Sequence, residues 1–155
     1  MKEFDYYIFI DYSENLIGYN IIEYVNLKNL LPKISKFTHY KELRYKSQYL
    51  HAIKSVIEKE KIVSYFIKSK IKEMRQNMEI YFDVFEFLKT HSNCIIFVSI
   101  DNHEYSNFEK FIKIFDVSKT IVKKESQLIK GTIEYKASLV IDTLLNIERL
   151  KRKNE

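Results

Sequence analysis

Residues 6–22 constrain the fold of this chain more than any other stretch. They read Tyr6-Tyr7-Ile8-Phe9-Ile10-Asp11-Tyr12-Ser13-Glu14-Asn15 and continue as Leu16-Ile17-Gly18-Tyr19-Asn20-Ile21-Ile22. Large aromatic and β-branched side chains fit a pleated, half-buried surface, so the segment predicts a strand, a tight polar turn and an antiparallel return strand. Gly18 sits inside the return strand, where a glycine marks a bulge or a close backbone approach. Asp11 ends an apolar run, where an acid is poorly placed for packing. Either it starts the turn together with Ser13, both side chains bonding their own backbone, or it serves chemistry. Two other aspartates in comparably odd positions favour chemistry.

With two Gly and one Pro in 155 residues there is no room for a flexible linker, and residues 1–155 are read as one domain. Hydrophobic residues at 46% and charged residues at 30% indicate a globular chain rather than a disordered one. Twelve Tyr and eleven Phe imply an aromatic core with tyrosine hydroxyls at its margin. The single cysteine, Cys94, excludes an internal disulfide and precedes an apolar run, so a buried thiol and a cytoplasmic home are expected. No signal peptide opens the sequence and no apolar run is long enough to span a bilayer, so no membrane partner is expected. A formal net charge of +5 and a pI near 9.1 are compatible with a polyanionic partner without requiring one.

Further along, Asn26–Leu31 predicts a short turn or helix ended by Pro32, and Lys36–Tyr40 a third strand. From Ser47 to Lys61 the residues Tyr49, Leu50, Ile53, Val56 and Ile57 recur at helical spacing. Ile62–Ile67 then reads as a fourth strand parallel to the first, with that helix as the crossover. Glu73–Thr90 is again helical through Met74, Met78, Tyr81, Phe82, Phe85 and Leu88. Cys94–Ile100 is a continuous apolar run, hence a buried strand, and ends at Asp101. A helix over Tyr105–Phe115, an edge strand at Thr120–Val122 and a long helix from Thr132 to Lys151 complete the pattern. There are no internal repeats.

Asp101 repeats the theme of Asp11, and ligands in open α/β sheets bind beyond the carboxyl ends of the strands. Asp142 interrupts Leu139-Val140-Ile141-Asp142-Thr143-Leu144-Leu145 in the last helix. Charges near a core are rare unless paired or metal-bound, and the competing reading is a helix position that points outward beside Ser138. Three converging carboxylates require a cation. Mg²⁺ (or Mn²⁺) is the natural choice, held by one or two carboxylates with water or phosphate in its other positions, and such ions support phosphodiester cleavage. Lys41, Arg44 and Lys46, interleaved with Tyr40 and Tyr45, have the composition of a nucleic-acid-binding segment or of a solvated loop. The basic tail Arg149–Lys153 either touches phosphates or complements the helix dipole. His103 is read as a turn histidine or a proton donor to a leaving group. Zinc spacing, a Gly-rich phosphate loop and a nucleophile elbow are all missing.

These residues in this order resemble the ribonuclease H-like superfamily, in particular a branch whose first strand reads Ile-Asp-Glu-Ser-Gly. Ile10-Asp11-Tyr12-Ser13-Glu14-Asn15 matches its Asp and Ser and lacks its Glu and Gly; His39–Lys46, Ile80-Tyr81, Ile100-Asp101 and Leu139–Asp142 fall in its order. The resemblance implies an α/β fold with a mixed sheet, antiparallel over its first three strands and then parallel, flanked by helices. It implies a metal-dependent nuclease or a diverged relative, with Asp11, Glu42, Asp101 and Asp142 as catalytic acids, the three aspartates on the metal. Well-known members also end the fourth strand in an acid, for which Phe66-Ile67-Lys68-Ser69-Lys70 offers none and Asp101 would substitute. Phe9–Leu16 and Val98–Asp101 also resemble the PIN-like nucleases, whose sheet is all parallel. A third reading is a non-enzymatic module, binding nucleic acid or protein, that has lost metal binding.

Overall fold

A computed structural model describes residues 3–99, 101–115 and 120–153. The hairpin forms as its sequence predicts: β1 (Tyr6–Ser13) and β2 (Leu16–Glu23) pair antiparallel, with Glu14 left-handed at φ 54° in the turn. Helix α1 (Tyr24–Leu30) runs into a 3-10 turn at Leu31–Lys33, and α2 (Lys46–Lys59) follows. Next come β3 (Lys68–Glu73), α3 (Asn77–Thr90), β4 (Cys94–Ser99), α4 (Asn102–Phe115), β5 (Ile121–Lys124) and α5 (Ile133–Lys153). The sheet order is β3-β2-β1-β4-β5; the β3–β2 and β2–β1 pairs are antiparallel, and β4 and β5 continue parallel from β1.

Central strand β1 is covered on both faces. Tyr7 and Phe9 pack with Leu27, Ile53, Ala137 and Ile141 from α1, α2 and α5. Ile8 and Ile10 pack on the opposite face with Ile80, Val84, Phe108 and Ile112 from α3 and α4. The two-residue alternation of the strand therefore decides which helices each side chain meets. Asp11 follows Phe9 by two residues, which aims it at the α5 face.

Two strand assignments need correction. Lys36–Tyr40 is irregular and leads into a 3-10 turn at Tyr40–Glu42. Phe37 alone anchors it in the core, and the Tyr49 hydroxyl donates to the Thr38 carbonyl and accepts from its N–H, taking the place of a strand partner. Ile62–Tyr65 is also a 3-10 turn. Across Ile62–Ile67 the buried residues are Ile62 and Phe66, four apart, while Val63 and Ile67 are exposed, so the run buries one helical face rather than alternating. The third strand is instead β3, antiparallel to β2 at the sheet edge. The crossover into a parallel strand is therefore made by α3, between β3 and β4. Ile100, expected to close the β4 strand, lies outside the described residues. The antiparallel pairing of β1 and β2 also rules out the all-parallel PIN-like sheet.

Gly18 permits the close layering of β2 against α5. A Cβ there would lie 3.0 Å from the Lys70 carbonyl oxygen and from Ile71 Cγ1, and 3.1 Å from Ile141 Cδ1. Among the described residues no helix is long and apolar enough to cross a membrane.

Candidate functional site

Asp11 stands near the end of β1 with Gly18 of β2 on one side and Ser99 of β4 on the other. Across from it, α5 carries a polar stripe on the face packed toward the sheet: Ser138, Asp142, Asn146 and Arg149, spaced by four, four and three residues. Because α5 packs over β1, that stripe brings Asp142 to the same cleft as Asp11. The cleft holds about 390 Å³, and both carboxylates line it together with His39, Lys41, Lys46, Glu125 and Arg149.

Asp11 and Asp142 are 6% and 7% exposed, which makes their ionisation costly. Burial pushes the Asp11 carboxyl well above the usual carboxylate range, and the charges of Glu125 and Asp142 push it further. The Tyr12 backbone N–H, donating to Asp11 Oδ1 at 2.8 Å, and the Ser99 hydroxyl act in the opposite direction. Asp142 is likewise raised, first by burial, with Glu125 adding to it; the Tyr40 N–H, His39 and Lys41 oppose the shift. Its Oδ2 accepts the Tyr40 N–H at 2.9 Å.

Glu125 was not singled out by its sequence. It opens the 3-10 turn after β5, with Oε1 3.8 Å from His39 Nε2. It sits within Lys123-Lys124-Glu125-Ser126-Gln127, a polar run with no apolar contrast, so nothing local marks it. Asn146 and Arg149 had a readable signal in the helical spacing that joins them to Asp142.

The other expected acids lie elsewhere. Asp101 is exposed and caps α4: its Oδ1 accepts the Glu104 N–H at 2.8 Å, the bond an N-cap side chain makes to the third helical residue. It does not line the cleft. Glu42 is also outside, exposed and paired with Lys130 Nζ at 2.8 Å, which holds its carboxyl below the usual range. Of the expected basic residues, Lys41 and Lys46 line the cleft, whereas Arg44 rests its guanidinium 5.6 Å from the Tyr45 ring centre. His103 is exposed on α4, within 3.4 Å of Asn107.

The donor chemistry of the cleft fits one divalent cation. Two desolvated carboxylates face one space, and an ion of this kind takes one or two carboxylates and fills its remaining positions with water or phosphate. Among the described residues no group of three or more His, Cys, Asp or Glu side chains is arranged to hold a metal ion. Water and substrate would therefore supply most of its coordination.

No protein-family model matches the chain, and no curated protein does. Among solved structures, ribonuclease H2 from Pyrococcus horikoshii OT3 superimposes with a TM-score of 0.54 at 14% sequence identity, over 96% of this chain and 77% of that one. A superposition that covers almost the whole chain, together with the mixed five-stranded sheet flanked by helices, identifies the architecture: the chain has a ribonuclease H-like fold.

Proposed function

We propose that the chain is a metal-dependent nuclease, hydrolysing phosphodiester bonds of nucleic acid at the cleft between β1 and α5. One observation carries the reading. Asp11 and Asp142, 131 positions apart in sequence, are both buried and both open into one cleft rimmed by Lys41, Lys46 and Arg149. Buried like charges are costly unless something offsets them, and a divalent cation held in the cleft would do so.

In this reading Asp11 and Asp142 would hold the ion, and Ser99 and the Tyr12 N–H orient the Asp11 carboxyl and offset part of the cost of its burial. The chemistry such an ion would supply is activation of water and stabilisation of the leaving oxygen. Lys41 and Lys46 receive the phosphate backbone and fix its register. His39 Nδ1 accepts the Lys41 N–H at 3.3 Å, which leaves Nε2 directed at Glu125 and keeps that carboxylate at the cleft wall.

The test is cleavage of labelled single-stranded RNA, single-stranded DNA and an RNA–DNA hybrid in Mg²⁺ or Mn²⁺ against chelator, with Asp11→Asn alongside. Metal-dependent cleavage lost in Asp11→Asn supports the assignment. Cleavage that persists in that variant removes it. A second reading, a nucleic-acid-binding module without catalysis, is favoured by Ser99: the β4 position beside Asp11 offers a hydroxyl in place of a third carboxylate. Oligonucleotide binding by a protein that takes up no Mn²⁺ selects this second reading.

A further inference from the structure

Arg149 is the most enclosed cation of the cleft, its side chain 11% exposed. Its Nε donates to the Ser13 hydroxyl at 3.0 Å and its Nη2 to Asn146 Oδ1 at 3.0 Å, and Ser13 itself donates to Asn146 at 3.1 Å. These neutral acceptors orient the guanidinium without cancelling its charge. Among the described residues the carboxylate paired with it is Glu14, which stands 3.5 Å from Nη1 and is mostly exposed. Among the described residues three of its five N–H groups thus find acceptors, one of them at the limit of a hydrogen bond. Lys46 adds a second charge: its Nζ and the Arg149 Cζ each lie 5.5 Å from the Tyr40 ring centre, and among the described residues Lys46 forms no ion pair. A fixed guanidinium with donors to spare, next to an unneutralised ammonium, is complementary to an anion with several oxygens.

We propose that Arg149, aligned by Ser13 and Asn146 and assisted by Lys46, forms a phosphate subsite at the β1–β2 turn end of the cleft, taking a phosphate of the bound strand other than the one at the carboxylates. The inference rests on the nuclease reading for its substrate class and does not depend on metal for its contacts. Either an internal diester or a terminal monoester has the required oxygens. The two are told apart by comparing strands with and without a 5′-phosphate.

The experiment measures binding of 3′-labelled single-stranded RNA and DNA to the full chain in chelator across a salt series. Arg149→Gln is expected to weaken binding about tenfold for all sequences, and to lower the slope of log affinity against log salt by about 0.7. Loss of the Arg149 effect on removing the 5′-phosphate assigns a terminal monoester; an effect that persists assigns a diester. A folded Arg149→Gln protein with wild-type affinity and slope overturns the proposal and leaves Arg149 as a clamp on the turn. Should that variant not fold, Arg149→Lys decides instead: it keeps a charge and loses the fork held by Ser13 and Asn146, so wild-type affinity in that variant overturns the aligned subsite. Wild-type Mn²⁺ binding is read separately by calorimetry: its absence with the Arg149 effect intact overturns the nuclease and keeps the subsite, and the reverse pattern does the opposite.

Discussion

Oδ2 of Asp142 accepts the backbone N–H of Tyr40 at 2.9 Å, so a buried carboxylate on the last helix holds a loop 102 positions earlier in the sequence. The bond commits one carboxylate oxygen of a cleft-lining residue to structure. Replacing Asp142 by Asn removes the buried charge and retains an acceptor for Tyr40, whereas Ala leaves the N–H without one. An unsatisfied buried donor costs about 1–3 kcal/mol. In chelator at neutral pH, Asp142→Ala is therefore expected to be less stable than Asp142→Asn by that margin in urea unfolding. Equal stability of the two variants would show that the loop does not depend on this bond.

Asp11 gives a pH dependence whose sign follows from burial. Its folded carboxyl titrates above the unfolded value, because burial, then Glu125 and Asp142, disfavour the ionised form. Between the unfolded value near about 4 and the raised folded value, the folded chain binds more protons than the unfolded one, and stability falls as pH rises. Asn carries no such charge. Metal-free Asp11→Asn should match or trail the wild type in acid and gain on it as pH rises above about 4, until the raised folded value is passed. Mn²⁺ should raise the melting temperature of the wild type and not of Asp11→Asn. A melting-temperature difference that stays flat across this range would sink the argument.

Asp101 supplies the contrasting case. Its carboxylate caps α4 through the Glu104 N–H. Removing an N-cap acid costs about 1 kcal/mol. Asp101→Ala should show that loss in thermal unfolding with Mn²⁺ affinity unchanged. A tenfold or larger loss of Mn²⁺ affinity (about 1.4 kcal/mol) would bring Asp101 back into the metal site.

Asp11 and Asp101 look alike in sequence, each an acid after an apolar run, and the structure separates them. The difference was legible in one detail: Asp101 is followed three residues later by Glu104, the spacing of a helix start, and α4 begins at Asn102. The hairpin, β4 and α5 were readable because their apolar runs carry the period of the element they form. β3 was not, because Lys68-Ser69-Lys70-Ile71-Lys72-Glu73 has a single apolar residue; an edge strand protected by lysines does not carry a hydrophobic signature. Asp142 could be found because its neighbours in the helix are apolar. Glu125 reaches the cleft from a polar turn, where one more acid has no contrast to stand against.

Gly18 ties the sheet to the site through space rather than chemistry. It pairs with Asp11 across the hairpin, and Ile141, which closes over it, precedes Asp142. The methyl of Gly18→Ala would meet the Lys70 carbonyl oxygen at 3.0 Å, and a backbone oxygen held in the β2–β3 ladder cannot rotate aside. Relief requires β3 to move outward or α5 to rise from the sheet. Overpacking of this kind costs about 1–3 kcal/mol. If α5 gives way, Asp142 is drawn from Asp11, and Mn²⁺ affinity should fall although no ligand atom has changed. Urea unfolding and calorimetry on the same variant read the two effects separately. A Gly18→Ala protein of wild-type stability would show that the layers are looser at this point than the 3.0 Å and 3.1 Å approaches require.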